Sequence, residues 1–253
     1  MSALNYSRKP WPCNFPEVVI HALLEARNAH QCYVQAKAGD REAAEQLVAD
    51  LFNEVALEQL LHQVRGTKGL VAAVSALEDQ GFNAIPDVLA NEVALRLGWD
   101  LDQGDLRQIN RVSHTRASGW HRLITQAEFA GDVQPGASYL LVDDHVGFGG
   151  TLANFRGYIE SQGGMVVSMM TLTETTGGRT IALRQSTLET LWGNHGEELE
   201  KLWRESFCYG LDCCTELEAG YLSRQRTLDY IRRQLAKAAK KADQRGLQSA
   251  EIL

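Results

Sequence analysis

In the first quarter of the chain, apolar residues recur at three- and four-residue steps. Across residues 39–64, Ala44, Leu47, Val48, Leu51, Phe52 and Val55 keep a helical period, and Asp40 stands where an N-cap belongs. An earlier helix is expected from Glu17 to about Ala38, so residues 1–66 read as an N-terminal helical layer. From residue 69 the rhythm changes. Leu70–Val74 is a short apolar, partly β-branched run, and a helix is expected across Ile85–Gly98, with Pro86 in its first turn and Gly98 as its stop. Leu106–Val112 is a second strand candidate, followed by a polar loop through residues 113–122. Then come the apolar strand Tyr139–Asp144, a helix from about Thr151 to Gln162, a Gly163-Gly164 turn and the apolar run Met165–Leu172. Strands alternating with helices predict an α/β fold with a mainly parallel sheet covered on both faces, over residues 67–178. Residues 179–253 read as mostly helical, broken at Tyr209–Cys214 and packed on the core.

Length and composition narrow this picture. A chain of 253 residues, 44% hydrophobic and 23% charged, suits one large globular domain with helical additions. At this size roughly 70–75% of the unfolded chain's surface is buried on folding, so a core needs no staple. The five cysteines (Cys13, Cys32, Cys208, Cys213, Cys214) are odd in number and lack C-x-x-C spacing, which fits a reduced, cytoplasmic setting. The cluster Cys208, Cys213 and Cys214 lacks zinc-ligand spacing and reads as packing thiols. No apolar run approaches the ~18 residues of a membrane span, and MSALNYSRKPWPCNF has no apolar region of a secretory signal. The net charge of −7 argues against bulk nucleic-acid affinity. From Arg224 to Arg245, however, basic residues outnumber acidic ones for a local charge of +6. That is either a solvated helix face or a surface for a nucleic-acid or protein partner.

Chemistry concentrates at Tyr139-Leu140-Leu141-Val142-Asp143-Asp144-His145-Val146-Gly147-Phe148-Gly149-Gly150-Thr151-Leu152. A buried strand delivers two carboxylates to its C-terminal end, the edge where open α/β sheets bind ligands. The Gly-rich turn then feeds a helix whose free N–H groups and dipole suit a phosphate. Gly147, Gly149 and Gly150 are expected to allow close approach and positive φ, and Thr151 to cap the helix and add a hydroxyl. Acidic groups beside a phosphate cradle call for another ligand, sugar hydroxyls or Mg²⁺. A Walker B strand is excluded, because the chain has no G-x-x-x-x-G-K-[ST]. A Rossmann site for NAD or a methyl donor competes: Gly147-Phe148-Gly149 resembles its G-x-G start and Glu174 lies near the end of the next strand, but Leu152 replaces the third glycine.

Residues 139–151 resemble the phosphoribosyl-pyrophosphate (PRPP) motif of the type I phosphoribosyltransferases: four apolar residues, an acidic pair and a Gly-rich loop closing on Thr. The strand–helix order extends the resemblance loosely over residues 68–175. It implies that Gly147, Phe148, Gly149, Gly150 and Thr151 wrap the 5′-phosphate. It also implies that Asp143 and Asp144 hold the ribose hydroxyls near a Mg²⁺ that bridges ribose and pyrophosphate. A pyrophosphate loop should follow the first core strand, at Ser75 through Ala84. That loop is acidic here (Glu78, Asp79) and lacks the usual basic residue, so Ser75, Asn83, backbone amides or the nearby Lys68 would serve. A hood loop should precede the motif strand, which points to His114, Arg116, His121 and Arg122 as pyrophosphate contacts, the alternative being a polar surface excursion.

At Gly147, purine-salvage members of that family carry Asp and others Thr, so this chain offers neither base nor hydroxyl there. Phe148 would stack on a ligand or pack into the sheet. His145 would serve proton transfer or structure. Trp203, Phe207 and Tyr209 would line a base-binding hood or fill an interface. The resemblance implies a cytoplasmic phosphoribosyltransferase that uses Mg²⁺ and PRPP on an unidentified base or nucleotide, with a homodimer left open. A PRPP- or nucleotide-sensing protein of the same fold is the alternative, and the basic C-terminal helix would then meet its partner.

Overall fold

The computed structural model describes residues 8–78, 81–110 and 118–250, except the side chains of residues 77, 78 and 243–250. Its centre is a five-stranded, all-parallel sheet in the order β1-β9-β8-β2-β5. These strands are β1 (Val19–Ile20), β2 (Leu70–Ala73), β5 (Asp100–Leu101), β8 (Ser138–Val146) and β9 (Met165–Glu174). The two long strands lie centrally, and β8 is buried continuously from Tyr139 to Asp144. Parallel strands buried on both faces need continuous apolar runs, which Tyr139–Val142 supplies.

One face is covered by α1 (Leu24–Ala29), α2 (Tyr33–Lys37), α3 (Arg41–Leu51), α4 (Glu54–Gln63) and α5 (Ile85–Leu97). Their core joins Leu47, Leu60, Ile85 and Leu89 to Leu140 and Val142 of β8. Asp40 caps α3, its side chain accepting from Ala43 N. Pro86 opens α5, and Gly98 closes it in the left-handed region at φ 63°. The other face carries α7 (Gly150–Ser161), whose Phe155 and Ile159 pack with Tyr139 and Leu141. Around the C-terminal end of the sheet, α6 (Gly119–Ile124) joins α8 (Gln185–Phe207), α9 (Glu216–Ser223) and α10 (Leu228–Ala250) in a third cluster. Two small ribbons complete the fold: β3 (Leu77–Glu78) with β4 (Gly81–Phe82), and β6 (Arg107–Gln108) with β7 (Phe129–Ala130). No helix among the described residues is long and apolar enough to cross a membrane.

Three expectations are corrected. No helix runs from Glu17 to Ala38: Val18 and Val19 are buried, β1 pairs with Met170 and Thr171, and only α1 and α2 are helical. Two β-branched residues against the sheet edge win over helical period there. Leu106–Val112 contributes only Arg107–Gln108, in a ribbon outside the main sheet; Asp100–Leu101 takes the edge beside β2 instead. Lys68 precedes β2, at the end of the sheet opposite the carboxylates, and so lies away from the site.

Candidate active site

At the C-terminal end of β8 the chain turns through Gly147–Gly149 into α7. Gly149 is the N-cap, at φ 83°, and it alone of Gly147, Gly149 and Gly150 has positive φ. A side chain there would be strained by its backbone and would also press within 3.0 Å of Ile181. Thr151 lies inside the first turn and does not cap the helix. Gly147 has another reason to be glycine. A Cβ there would stand 2.7 Å from an NH of Arg122, so the missing side chain makes room for the guanidinium. The loop is braced from α9: the Thr215 hydroxyl donates to the Phe148 carbonyl at 2.5 Å. Phe148 does not enter the sheet. Half-exposed, it faces Tyr221 at 5.6 Å and the Arg122 guanidinium at 5.8 Å.

Residues Val146–Leu152 line an open cleft, together with Asp143, His145, Arg122 and Gln126. Helix α7 therefore points its first amides at a cleft that also contains a carboxyl and a guanidinium. That combination suits an anion attached to a hydroxylated body. Gln126 is buried; its amide NH₂ donates to the Leu123 carbonyl and the Tyr209 hydroxyl, and its Oε1 has no partner among the described residues.

The two carboxylates have different surroundings, because adjacent residues of a strand face opposite sides of the sheet. Asp143 faces the cleft. Burial, and then the neighbouring Asp144 charge, push its carboxyl well above the usual range, although the Asp144 amide donates to its Oδ1 at 2.8 Å. Asp144 faces the N-terminal layer. Burial works against its charge, but Lys37 Nζ at 2.8 Å and Arg27 at 4.0 Å outweigh it and hold the carboxyl at about 2. His145 sits between the Thr173 and Thr175 hydroxyls at 3.0 and 3.1 Å. Burial, then the Arg27 charge, lowers it to about 4, so the ring is neutral at pH 7.

The remaining expected contacts are dispersed. Arg122 reaches the cleft, whereas His121 turns toward Thr125 on its own helix at 3.4 Å. His114 and Arg116 lie outside the described residues. In the loop after β2, the Ser75 hydroxyl donates to Asp87 at 2.7 Å and Asn83 accepts from Ile85 N at 3.2 Å, so both brace the start of α5. Glu174 is bound by the Arg179 guanidinium at 2.6 Å and by its amide at 2.8 Å. Trp203, Phe207 and Tyr209 are core residues, and Cys213 and Cys214 are buried free thiols. Burial pushes the Cys213 thiol up to about 12, as suits packing.

No protein-family model matches the chain. It is 37% identical to Protein TraN of Escherichia coli over 235 residues, which is 93% of this chain and 52% of TraN. It is 34% identical over 152 residues to an uncharacterized protein of Haemophilus influenzae, covering 60% of this chain and 34% of that one. The chain thus spans about half the length of TraN and a third of the second relative. Among solved structures it is similar to adenine phosphoribosyltransferase of Thermoanaerobacter pseudethanolicus, with TM-score 0.36, 22% identity, and coverage of 58% of this chain and 78% of that one. Orotate phosphoribosyltransferase of Aeropyrum pernix matches with TM-score 0.32, 22% identity, and coverage of 57% and 66%.

Several residues that build the site carried no signal in the sequence. Arg8 is buried between Glu218, at 2.6 Å, and Asn154 of α7, and one NH lies 3.5 Å from the Gly150 carbonyl. Lys37 is 107 positions from Asp144, and Thr215 is 67 from Phe148. Only folding makes them neighbours.

Proposed function

We propose that the chain binds PRPP and transfers its 5-phosphoribosyl group to or from a nitrogenous base. The observation that carries this reading is the cleft in which the first turn of α7, with its glycine cap, faces Asp143 across the strand end. The amides from Gly149 to Leu152 take the 5′-phosphate, where the helix dipole favours negative charge. The Asp143 carboxyl takes the ribose hydroxyls, accepting their protons in hydrogen bonds when ionised and donating when protonated. As the bond from C1 to pyrophosphate breaks, positive charge develops on the ribose and a carboxylate beside it stabilises that charge. Arg122 closes the cleft over the loop.

The fit to Mg²⁺ rests on these same donors. No group of three or more His, Cys, Asp or Glu side chains capable of holding a metal occurs among the described residues, and Asp144 is paired with Lys37. One cleft carboxylate, Asp143, fits an ion that arrives on the substrate's phosphates and keeps most of its waters. When bound, Mg²⁺ supplies charge neutralisation on the departing pyrophosphate.

Calorimetry with PRPP and Mg²⁺ tests the reading. Wild type should bind, Asp143→Asn should lose at least tenfold in affinity, and a screen of bases should reveal pyrophosphate release. Absence of binding by the folded wild type overturns the proposal and brings NAD and methyl donors forward. A sensing role is favoured by one observation: Gly147 has no side chain and His145 is tied to two threonines, so neither the His145 imidazole nor an acid at position 147 is placed to activate an acceptor. Binding without turnover on any base would select it.

A further inference from the structure

Helix α10 arranges its charge differently from the other helices. On α3, α5 and α8 an exposed arginine is matched to an acid one turn away: Arg41 to Glu45, Arg96 to Glu92 and Arg204 to Glu200. On α10 that matching stops after Asp229, which binds Arg232 at 3.0 Å. From Tyr230 to Ala242 the sequence holds five cations and no acid. Arg233, Lys237, Lys240 and Lys241 are exposed, and none of them forms an ion pair among the described residues.

The helix sorts these residues by face. Ile231, Leu235 and Ala238 turn inward to the C-terminal cluster. At 3.6 residues per turn, the four cations then share an arc of about 100° on the opposite side. Cations three and four residues apart repel one another, Arg233 with Lys237 and Lys237 with both Lys240 and Lys241, which destabilises the helix that displays them. The helix dipole does not offset this, because it acts within the last turn and the last turn of α10 contains no basic residue. A polyanion laid along the face would relieve the repulsion.

We propose that this face of α10 binds the phosphate backbone of a nucleic acid, independently of base sequence and of the cleft. The net charge of −7 opposes general attraction to nucleic acid, so contact is confined to the one helix face where positive charge is concentrated. Arg233 to Lys241 spans about 12 Å of helix axis, the rise of about three to four nucleotides along one strand. The face has no apolar centre: from Arg232 to Lys241 the only exposed residue that is not a cation is Ala236. Protein–protein interfaces are instead built round apolar and aromatic residues and are depleted in Lys. A lipid surface is disfavoured because the apolar side of the helix is already buried in the protein.

Fluorescence anisotropy with a labelled duplex and a labelled single strand, each of about 20 nucleotides in length and titrated at rising KCl, tests this. Wild type should bind, and log K should fall against log salt with a slope of about −3 to −4, as four phosphate contacts require. The probe bound more tightly then identifies the form of nucleic acid. Lys237→Glu puts an acid four residues from both Arg233 and Lys241, so it should raise the thermal midpoint slightly while weakening binding at least tenfold. Those opposite directions separate a lost surface from a misfolded chain. Should Lys237→Glu fold poorly, Lys240→Gln with Lys241→Gln removes charge without reversing it and should flatten the salt slope by about 2. Arg65→Glu makes the same change of charge at an exposed residue after α4 and should leave affinity within twofold. Equal weakening by Arg65→Glu would reduce the effect to net charge and overturn the proposal. Absence of binding at the lowest salt, or an unchanged slope in the double variant, would also overturn it. Displacement of the probe by polyglutamate at equal concentration of charge would assign the face to acidic protein segments and overturn it as well.

Discussion

Asp143 and Asp144 are consecutive in sequence, equally buried, and opposite in chemistry. Asp143 looks into a cleft with a helix N-terminus, and burial and then the neighbouring Asp144 charge disfavour its own charge. Asp144 looks into the N-terminal layer, where Lys37 and Arg27 fix its charge. A pair of acids at a strand end is therefore one ligand-facing group and one structural anchor for cations. The difference shows why two carboxylates in a motif should not be assigned one role by adjacency alone.

The largest expected effect breaks the comparison. Asp144→Asn removes the carboxylate that the buried Arg27 and the half-buried Lys37 share and should cost about 3–5 kcal/mol of stability, measured by urea denaturation. Asp143→Asn keeps shape and removes a disfavoured charge, so its stability should stay within about 1 kcal/mol of wild type while ligand binding falls. Equal destabilisation by the two would remove the distinction. A double Asn variant consequently makes a poor activity control, since its folding is compromised through Asp144.

Acid sharpens the same contrast in the ligand-free protein. His21 and His145 are both lowered from 6.5 to about 4 by burial, so the unfolded chain binds their protons first and stability falls between pH 6.5 and 4. Asp144 is lowered from 3.8 to about 2, so its contribution is present above pH 4 and is lost as pH falls toward 2, about 2 kcal/mol in all. Asp143 has the opposite sign: its folded value is raised, so its ionisation as pH rises costs stability. Urea midpoints across pH 2–7 should show the lowest acid step in wild type and not in Asp144→Asn.

Smaller effects belong to the cleft side. Gly149→Ala forces a side chain into positive φ and against Ile181, for about 1–2 kcal/mol in thermal denaturation together with weaker phosphate binding. Ser75→Ala removes a single hydrogen bond to Asp87 and should cost about 1 kcal/mol with no change in PRPP affinity. A large affinity loss in that variant would return Ser75 to the ligand site.

Much of the fold was legible because its signals are local. The Asp40 cap, the Pro86 start and Gly98 stop of α5, and the apolar run of β8 each depend on residues within a turn or a strand of one another. The short strands were not legible. Val19–Ile20 is a strand only because Met170 and Thr171 offer it an edge, and Arg107–Gln108 pairs with Phe129–Ala130 rather than with the main sheet. Two-residue strands hold too little periodicity to announce themselves.

The candidate site divides in the same way. The sequence by itself determined the strand, the acidic pair, the glycine turn and the helix that follows, because cap geometry and burial of an apolar run are settled within about a dozen residues. Only the tertiary structure decided that Lys37 would meet Asp144, that Arg122 would fill the space Gly147 leaves open, and that Thr215 would brace the Phe148 carbonyl. Alternation along a strand sends neighbouring side chains to opposite faces, but the charge each one meets there is set by which distant helices pack on that face.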